Sequence, residues 1–314
     1  MLQTASSHFA TEMARLTQAV EDTLKDLLPR PQGPESPLLE AMRHAVLTGG
    51  NRLRAFLVCQ SGRLLGADER AMLRIAAAVE CLHAHALIHD DLPSMGDGRR
   101  RRSRPVTHQA FDEATAILAG NALLALSFSI VSSPKTCPDP FIRGSLVSHM
   151  SDAIGHGGMI GGQMIDYACR QQDMDIGTLT RLQRMKTGAL IAFSCETGPL
   201  IARASEDMAG AMNGYAHDLA LALQIMDDLA DYAAPPPAAD NENAGPSAVE
   251  PVPAPPPELA ETPGRATFLP VLGEERARNQ AGLLARQAIR HLDMFDEKAD
   301  PLRSLAGFVI GEGA

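Results

Sequence analysis

Apolar residues in this chain gather in long one-sided or uncharged runs rather than in short alternating ones. Leu38 to Val46, Met72 to Leu87, Ala114 to Val131, Ile191 to Ala204 and Tyr215 to Ala233 all read as apolar or amphipathic helices. The helical pattern resumes near Thr267 and runs to Val309. No stretch has the period-two pattern of a half-buried strand, and no internal repeat is present. Gly49-Gly50, Gly157-Gly158, Gly161-Gly162 and Gly188 are read as punctuation at the joints.

One segment breaks the pattern. Pro235 to Pro263 holds ten prolines in 29 residues. Proline fixes φ and lacks a donor, so this stretch is not a helix interior. Semi-extended, mobile chain is expected there. Because helical patterning resumes beyond it, residues 1–314 are read as one all-α domain with a mobile proline-rich loop at 235–263.

Composition sharpens this. Hydrophobic residues make up 45% of the chain but aromatics only 4%, and Ala, Leu, Ile and Met supply the apolar mass, which favours helix over sheet. The net charge of −10 argues against a nucleic-acid binder, whose footprint is basic. The run Arg99 to Arg102, with Arg104 beyond, is a local exception that suits a small anionic ligand. The five cysteines are widely spaced with no Cys-x-x-Cys pair, so a reducing, cytoplasmic setting is expected. Ala114 to Pro134 carries no charge and is long enough to span a bilayer. Its Gly120, Asn121 and serines favour a buried helix, and no membrane span is expected.

The chemistry-bearing residues form two acidic clusters. In the first, Gln224, Asp227, Asp228 and Asp231 share one face of a helix. Carboxylates packed there repel one another unless something positive sits against them. Hard oxygen donors of this kind suit Mg²⁺, which takes a few carboxylates plus phosphate and water; a solvated acidic helix end is the plainer alternative. The second cluster runs from His83 through His85, His89, Asp90 and Asp91 to Gly96 and Asp97, with Pro93 ending its helix. The arginine run follows at once. Carboxylates for a metal followed by guanidinium forks for phosphate oxygens make a plausible diphosphate site. Gly161-Gly162-Gln163 with Asp166, and Lys186-Thr187-Gly188, add a close-approach motif and a further candidate anion donor.

Taken together these segments resemble the trans-isoprenyl diphosphate synthases, or polyprenyl synthetases, and the bacterial short-chain farnesyl and geranylgeranyl diphosphate synthases most closely. The pieces run in the family order: Gly49 to Arg54, His83 to Arg102, Gly161 to Asp166, Lys186 to Gly188, Gln224 to Asp231, and Gly264 to Phe268 as the late Gly-Lys-Ala-Thr motif. The resemblance implies a bundle of about ten or more helices around a central apolar cavity, and a homodimer. It implies transfer of an allylic (dimethylallyl or geranyl) chain to isopentenyl diphosphate, giving farnesyl or geranylgeranyl diphosphate. Asp90, Asp91, Asp97, Asp227, Asp228 and Asp231 are its metal positions, for Mg²⁺. Arg54, His83 and Arg102 fall where the family holds isopentenyl diphosphate, and Arg101 where it holds the allylic diphosphate. Lys186, Thr187 and Gln224 fall where it lines the allylic site and steadies the cation, and Arg265 replaces the late lysine. His85 and Ala86, about one turn before Asp90, are the positions that set chain length.

The chain also departs from the family pattern. Asn51 stands where the family has lysine, Gly96 where it has the last aspartate of the first metal motif, and the late Gly-Lys-x-x-Gly-x-Asp loop is absent. Asp97 replaces the aspartate only if the loop shifts. Such losses at cationic and metal positions keep open a catalytically impaired homologue acting as a regulatory or dimer-partner subunit. The histidines near Asp90 alone would also suit an all-α metal phosphohydrolase, which leaves the Asp227 cluster and Lys186-Thr187 unexplained.

Overall fold

The computed structural model describes residues 7–96, 98, 100–101, 104–169, 174–233 and 267–312; side chains 7, 8, 100, 101, 231 and 233 fall outside that description. The chain opens with α1 (Ser7–Leu27), α2 (Ser36–Leu47), α3 (Leu53–Leu64) and α4 (Glu69–Asp90). After a two-residue antiparallel pairing of Arg100–Arg101 with Arg104–Pro105 come α5 (Thr107–Ala110), α6 (Glu113–Ser132), α7 (Pro140–Ile154) and α8 (Met159–Ala168). Next are α9 (Ile176–Gln183), a π-helical turn (Arg184–Gly188), α10 (Ala189–Ala202) and α11 (Glu206–Ala233). Beyond residue 267 lie α12 (Leu269–Leu272), α13 (Glu274–His291) and α14 (Asp300–Val309).

The architecture is all-α, as expected, and the paired arginines are too short a ladder to leave any periodicity in the sequence. Helix α4 is the axis. Asp68 caps it by accepting the Ala71 amide, and its middle, from Ile75 to Leu82, is buried throughout. It packs against α3 and α6, while α10 packs against α3 and α11, and α11 against α13. Side chains from α1 to α14 share one core, in which Phe56, Leu82, Leu123, Phe193 and Tyr215 are fully buried.

The helical pattern over Thr267–Val309 is carried by three helices, divided where Gly273 adopts φ 75° and Asp296 starts a 3₁₀ turn. Three expectations change. Ile191–Ala204 ends at Ala202, where Arg203 turns left-handed at φ 51°. Gly161 and Gly162 lie inside α8 rather than at a joint. Finally, α6 is not buried all round. Ala116, Ala119, Leu123 and Ile130 face the core, yet Ile117 and Leu118 are 42% and 58% exposed. By length and composition α4 and α6 are the two described helices apolar enough to cross a membrane, and α4 is largely enclosed by protein. The proline-rich segment lies outside the described residues.

Candidate active site

The two acidic clusters stand at the C-terminal ends of α4 and α11, and each is tied to neighbouring helices by specific bonds. Pro93 disfavours continuation of α4, which ends at Asp90 with Asp91 as its cap. Asp90 is half-buried and Asp91 buried. Gln163 on α8 donates to Asp90 Oδ1 at 2.6 Å. Lys186 Nζ lies 2.6 Å from Asp166 Oδ2 and 3.6 Å from Asp90 Oδ1. One lysine thus links α4 and α8 through two carboxylates. It sits in the π-helical turn, an irregularity that recurs at functional sites. A Cβ on Gly162 would lie 2.3 Å from the Lys186 amide nitrogen, so only glycine lets α8 approach this turn so closely.

A second chain of bonds crosses from the π-turn to α11. Thr187 Oγ1 donates to Gln224 Oε1 at 3.2 Å, and Gln224 Nε2 donates to Asp228 Oδ1 at 2.8 Å. The other Asp228 oxygen accepts the Phe268 amide at 2.9 Å. Thus the buried Asp228 is balanced by an amide and a backbone N–H, whereas its neighbour Asp227 is exposed. The helix face therefore divides. Gln224 and Asp228 turn inward, and Asp227 is the accessible one of the two described carboxylates. Sequence reasoning missed Phe268 as a partner, although it stands at the end of the late motif.

The third group gathers around Arg54 on α3. Arg54 Nη1 lies 3.4 Å from His83 Nε2, which joins two residues 29 apart in the chain. Burial pulls the Arg54 guanidinium below its usual value, and the charges of Glu80 and Asp227 partly offset this. The Asp227 carboxylate and the Arg54 guanidinium therefore share one electrostatic field. Asn51, at the family's lysine position, accepts the Leu53 amide through Oδ1 at 3.3 Å, one residue ahead of the α3 N-cap Arg52. Glu80, which no motif singled out, is buried beneath this corner.

His85 is buried and engages the Gly120 carbonyl of α6 through Nδ1 at 3.0 Å. Burial, then the His89 ring 4.6 Å away, push its pKa down to about 4, against a smaller upward pull from that hydrogen bond. It is therefore neutral at physiological pH, with Nδ1–H as the donor. Ala86 beside it is half-buried. A Cβ on Gly96 would fall 2.4 Å from the Asp90 carbonyl oxygen. The chain folds back so tightly there that an aspartate at 96 does not fit without moving the loop. Among the described residues no three His, Cys, Asp or Glu side chains form a ready metal cage. Asp97, Arg102 and Arg265 lie outside the described residues, as do the side chains of Arg101 and Asp231.

The polyprenyl synthetase family pattern matches residues 35–245. The chain belongs to the polyprenyl synthetase family. It is 36% identical over 281 residues to the farnesyl diphosphate synthase of Escherichia coli, covering 88% of this chain and 89% of that one. It is 34% identical over 311 residues to a chloroplastic geranylgeranyl pyrophosphate synthase of Arabidopsis thaliana, covering 96% and 81%. Among solved structures, the apo FPP/GFPP synthase of Zymomonas mobilis superposes with a TM-score of 0.85 at 40% identity, covering 97% of this chain and 99% of that one. In polyprenyl synthetase terms, bonds join the α4 motif to α8 and to Lys186 of the π-turn, and Thr187 of that turn to the α11 motif, while Arg54 pairs with His83 on α4. Relatives that make isoprenyl diphosphates support prenyl transfer as the activity of this chain.

Proposed function

We propose that this chain condenses an allylic diphosphate, dimethylallyl or geranyl, with isopentenyl diphosphate, giving farnesyl diphosphate as main product and geranylgeranyl diphosphate next. The observation that carries this is the pairing of Arg54 with His83, while Lys186 is bonded to Asp166 and Thr187 to Gln224, which in turn bonds Asp228. Cationic donors for one diphosphate and carboxylates for a metal-held second diphosphate are what the reaction needs.

The donor set fits Mg²⁺ carried in with substrate. Asp90 and Asp227 offer hard carboxylate oxygens that water reaches, and phosphate and water supply the rest. Asp91, Asp228, Asp97 and Asp231 are the remaining assigned ligands, although Asp228 would have to release a protein partner to serve directly. When bound, Mg²⁺ supplies neutralising charge against the leaving diphosphate. Arg101, Arg102 and Arg265 are assigned to diphosphate oxygens with Arg54, His83 and Lys186. The Thr187 hydroxyl and the Gln224 amide present their dipoles to the allylic cation. Apolar walls keep water from it. The freed diphosphate then accepts the proton lost when the new double bond forms. We assign the limit of chain growth to His85 and Ala86.

The exposed Ile117 and Leu118 on the charge-free part of α6 suit a second copy of this chain, and we assign the enzyme to a homodimer. A monomer's mass by light scattering would contradict this. A cytoplasmic setting agrees with the five free cysteines. A second reading, an impaired partner subunit, is favoured by one observation: Asn51 accepts the Leu53 amide instead of contributing a lysine charge.

Asp227→Ala tests the metal assignment. It removes the accessible carboxylate and leaves the bonded Asp228 in place. Mg²⁺-dependent binding of an allylic diphosphate analogue should be lost, with the helical circular dichroism unchanged. Unaltered binding would refute the assignment.

A further inference from the structure

The start of α3 is held by an unusual corner. Gly49 and Gly50 take φ of 92° and 154°, and Arg52, a non-glycine residue, sits left-handed at φ 49° as the N-cap. Its side chain is buried. Nη2 donates to the Val46 carbonyl at 2.8 Å, and Nη1 meets Glu80 Oε2 at 2.8 Å. Glu80 is itself buried midway along α4. Its other oxygen accepts the Ala55 amide at 3.3 Å.

The backbone arithmetic gives this arrangement meaning. The first turn of a helix has amides with no partner inside the helix. In α3 the Phe56 amide is already bonded to the Arg52 carbonyl, so Leu53, Arg54 and Ala55 carry the orphans. Asn51 satisfies Leu53, and Glu80 satisfies Ala55 from another helix. Arg54 is the residue between those two anchors. Glu80 also stands one turn before His83 on the same face of α4. The Glu80 carboxylate therefore fixes the backbone under Arg54, is the nearer of two partners of Arg52 (Glu21 Oε1 lies 3.9 Å away), and sits beneath the histidine that Arg54 contacts.

We propose that Glu80, locked by Arg52, is a positioning residue that sets the Arg54–His83 pair for the diphosphate of isopentenyl diphosphate. This rests on the function proposed above. Glu80 touches no substrate. It acts by holding the first turn of α3 against α4, and its effect belongs to the isopentenyl half of the site. The allylic half is built on the ends of α4 and α11 and on the π-turn, with bonds that do not pass through Glu80.

The test is calorimetric titration, with Mg²⁺, of isopentenyl diphosphate and of the S-thiolo analogue of geranyl diphosphate. Glu80→Gln keeps the size and one acceptor but removes the charge. The isopentenyl diphosphate Kd should rise about tenfold or more, with the analogue's Kd within about twofold. Since Glu80→Gln leaves Arg52 buried with only the more distant Glu21, 3.9 Å away, as counter-charge, the pair Arg52→Gln/Glu80→Gln is measured beside it and should show the same selective loss. Equal weakening of both ligands, or binding like the wild type, would overturn the proposal. So would a double variant that fails to fold, which would make the pair purely architectural. Arg54→Ala separates the two levels of argument. If it binds isopentenyl diphosphate as the wild type does, the reading of the site itself fails.

Discussion

At the scale of single residues, neighbouring carboxylates of one motif meet different surroundings. Asp227 and Asp228 are adjacent carboxylates in one motif, yet one is exposed and the other is buried against Gln224 and the Phe268 amide. Helical spacing places both near one face; only tertiary packing separates them. Asn51 is similar. Its identity revealed a missing charge, but not that it accepts the Leu53 amide. Asn51→Lys therefore exchanges one local hydrogen bond worth about 0.5–1.5 kcal/mol for a phosphate contact worth about 1.5–3 kcal/mol. It should tighten isopentenyl diphosphate while lowering the unfolding midpoint. Gly96→Asp, by contrast, forces a Cβ against the Asp90 carbonyl and should not improve turnover, since the loop must move first. A gain from Gly96→Asp alone in a steady-state assay would contradict the tight turn. His85 makes a prediction about pH. Its folded pKa of about 4 lies below the ordinary histidine value, so the unfolded chain takes the proton first as pH falls. Stability from this group is complete above about pH 6.5 and is lost as pH falls towards 4. Urea unfolding at pH 7.5 and at pH 5 should differ by about 2 kcal/mol more in the wild type than in His85→Gln. Product analysis of His85→Ala should show longer chains, and an unchanged distribution would remove His85 from chain-length control.

At the scale of elements, legibility followed amphipathicity. Helices α2, α4, α6, α10 and α11 were visible because their apolar runs are long. Helix α3 was not, because ten of its twelve residues are buried and it has no polar face to set a period. Helix α1 had the signal in plain form. Phe9, Met13, Leu16, Val20 and Leu24 form a stripe at helical spacing, interrupted on the other face by acids. The glycine pair in α8 announced a close approach but not its partner, which is the backbone of the π-turn. From this follows a prediction about the turn. Gly162→Ala drives a methyl into the Lys186 backbone and should cost about 1–3 kcal/mol in stability. It should also lower kcat, because Lys186 and Thr187 move with that turn. Wild-type kcat together with wild-type stability would show that the approach is not needed.

At the scale of the molecule, the order of the motifs along the chain foretold the family, and the fold brings most of them together as that order implied. Arg102 and Arg265 of the expected cationic rim, and Asp97 of the expected metal positions, lie outside the described residues. The return of the chain at Phe268 to Asp228 joins the late motif to the second acidic cluster across the proline-rich segment. No periodicity in that segment could have foretold such a bond. Under the proposed function the chain stays active despite Asn51 and Gly96. Incubation of the purified full chain with labelled isopentenyl diphosphate and geranyl diphosphate, with Mg²⁺ and then with a chelator, tests this. Labelled farnesyl diphosphate should form only with the metal. Binding of both diphosphates without any condensation product would contradict it and identify the chain as a non-catalytic member of its family.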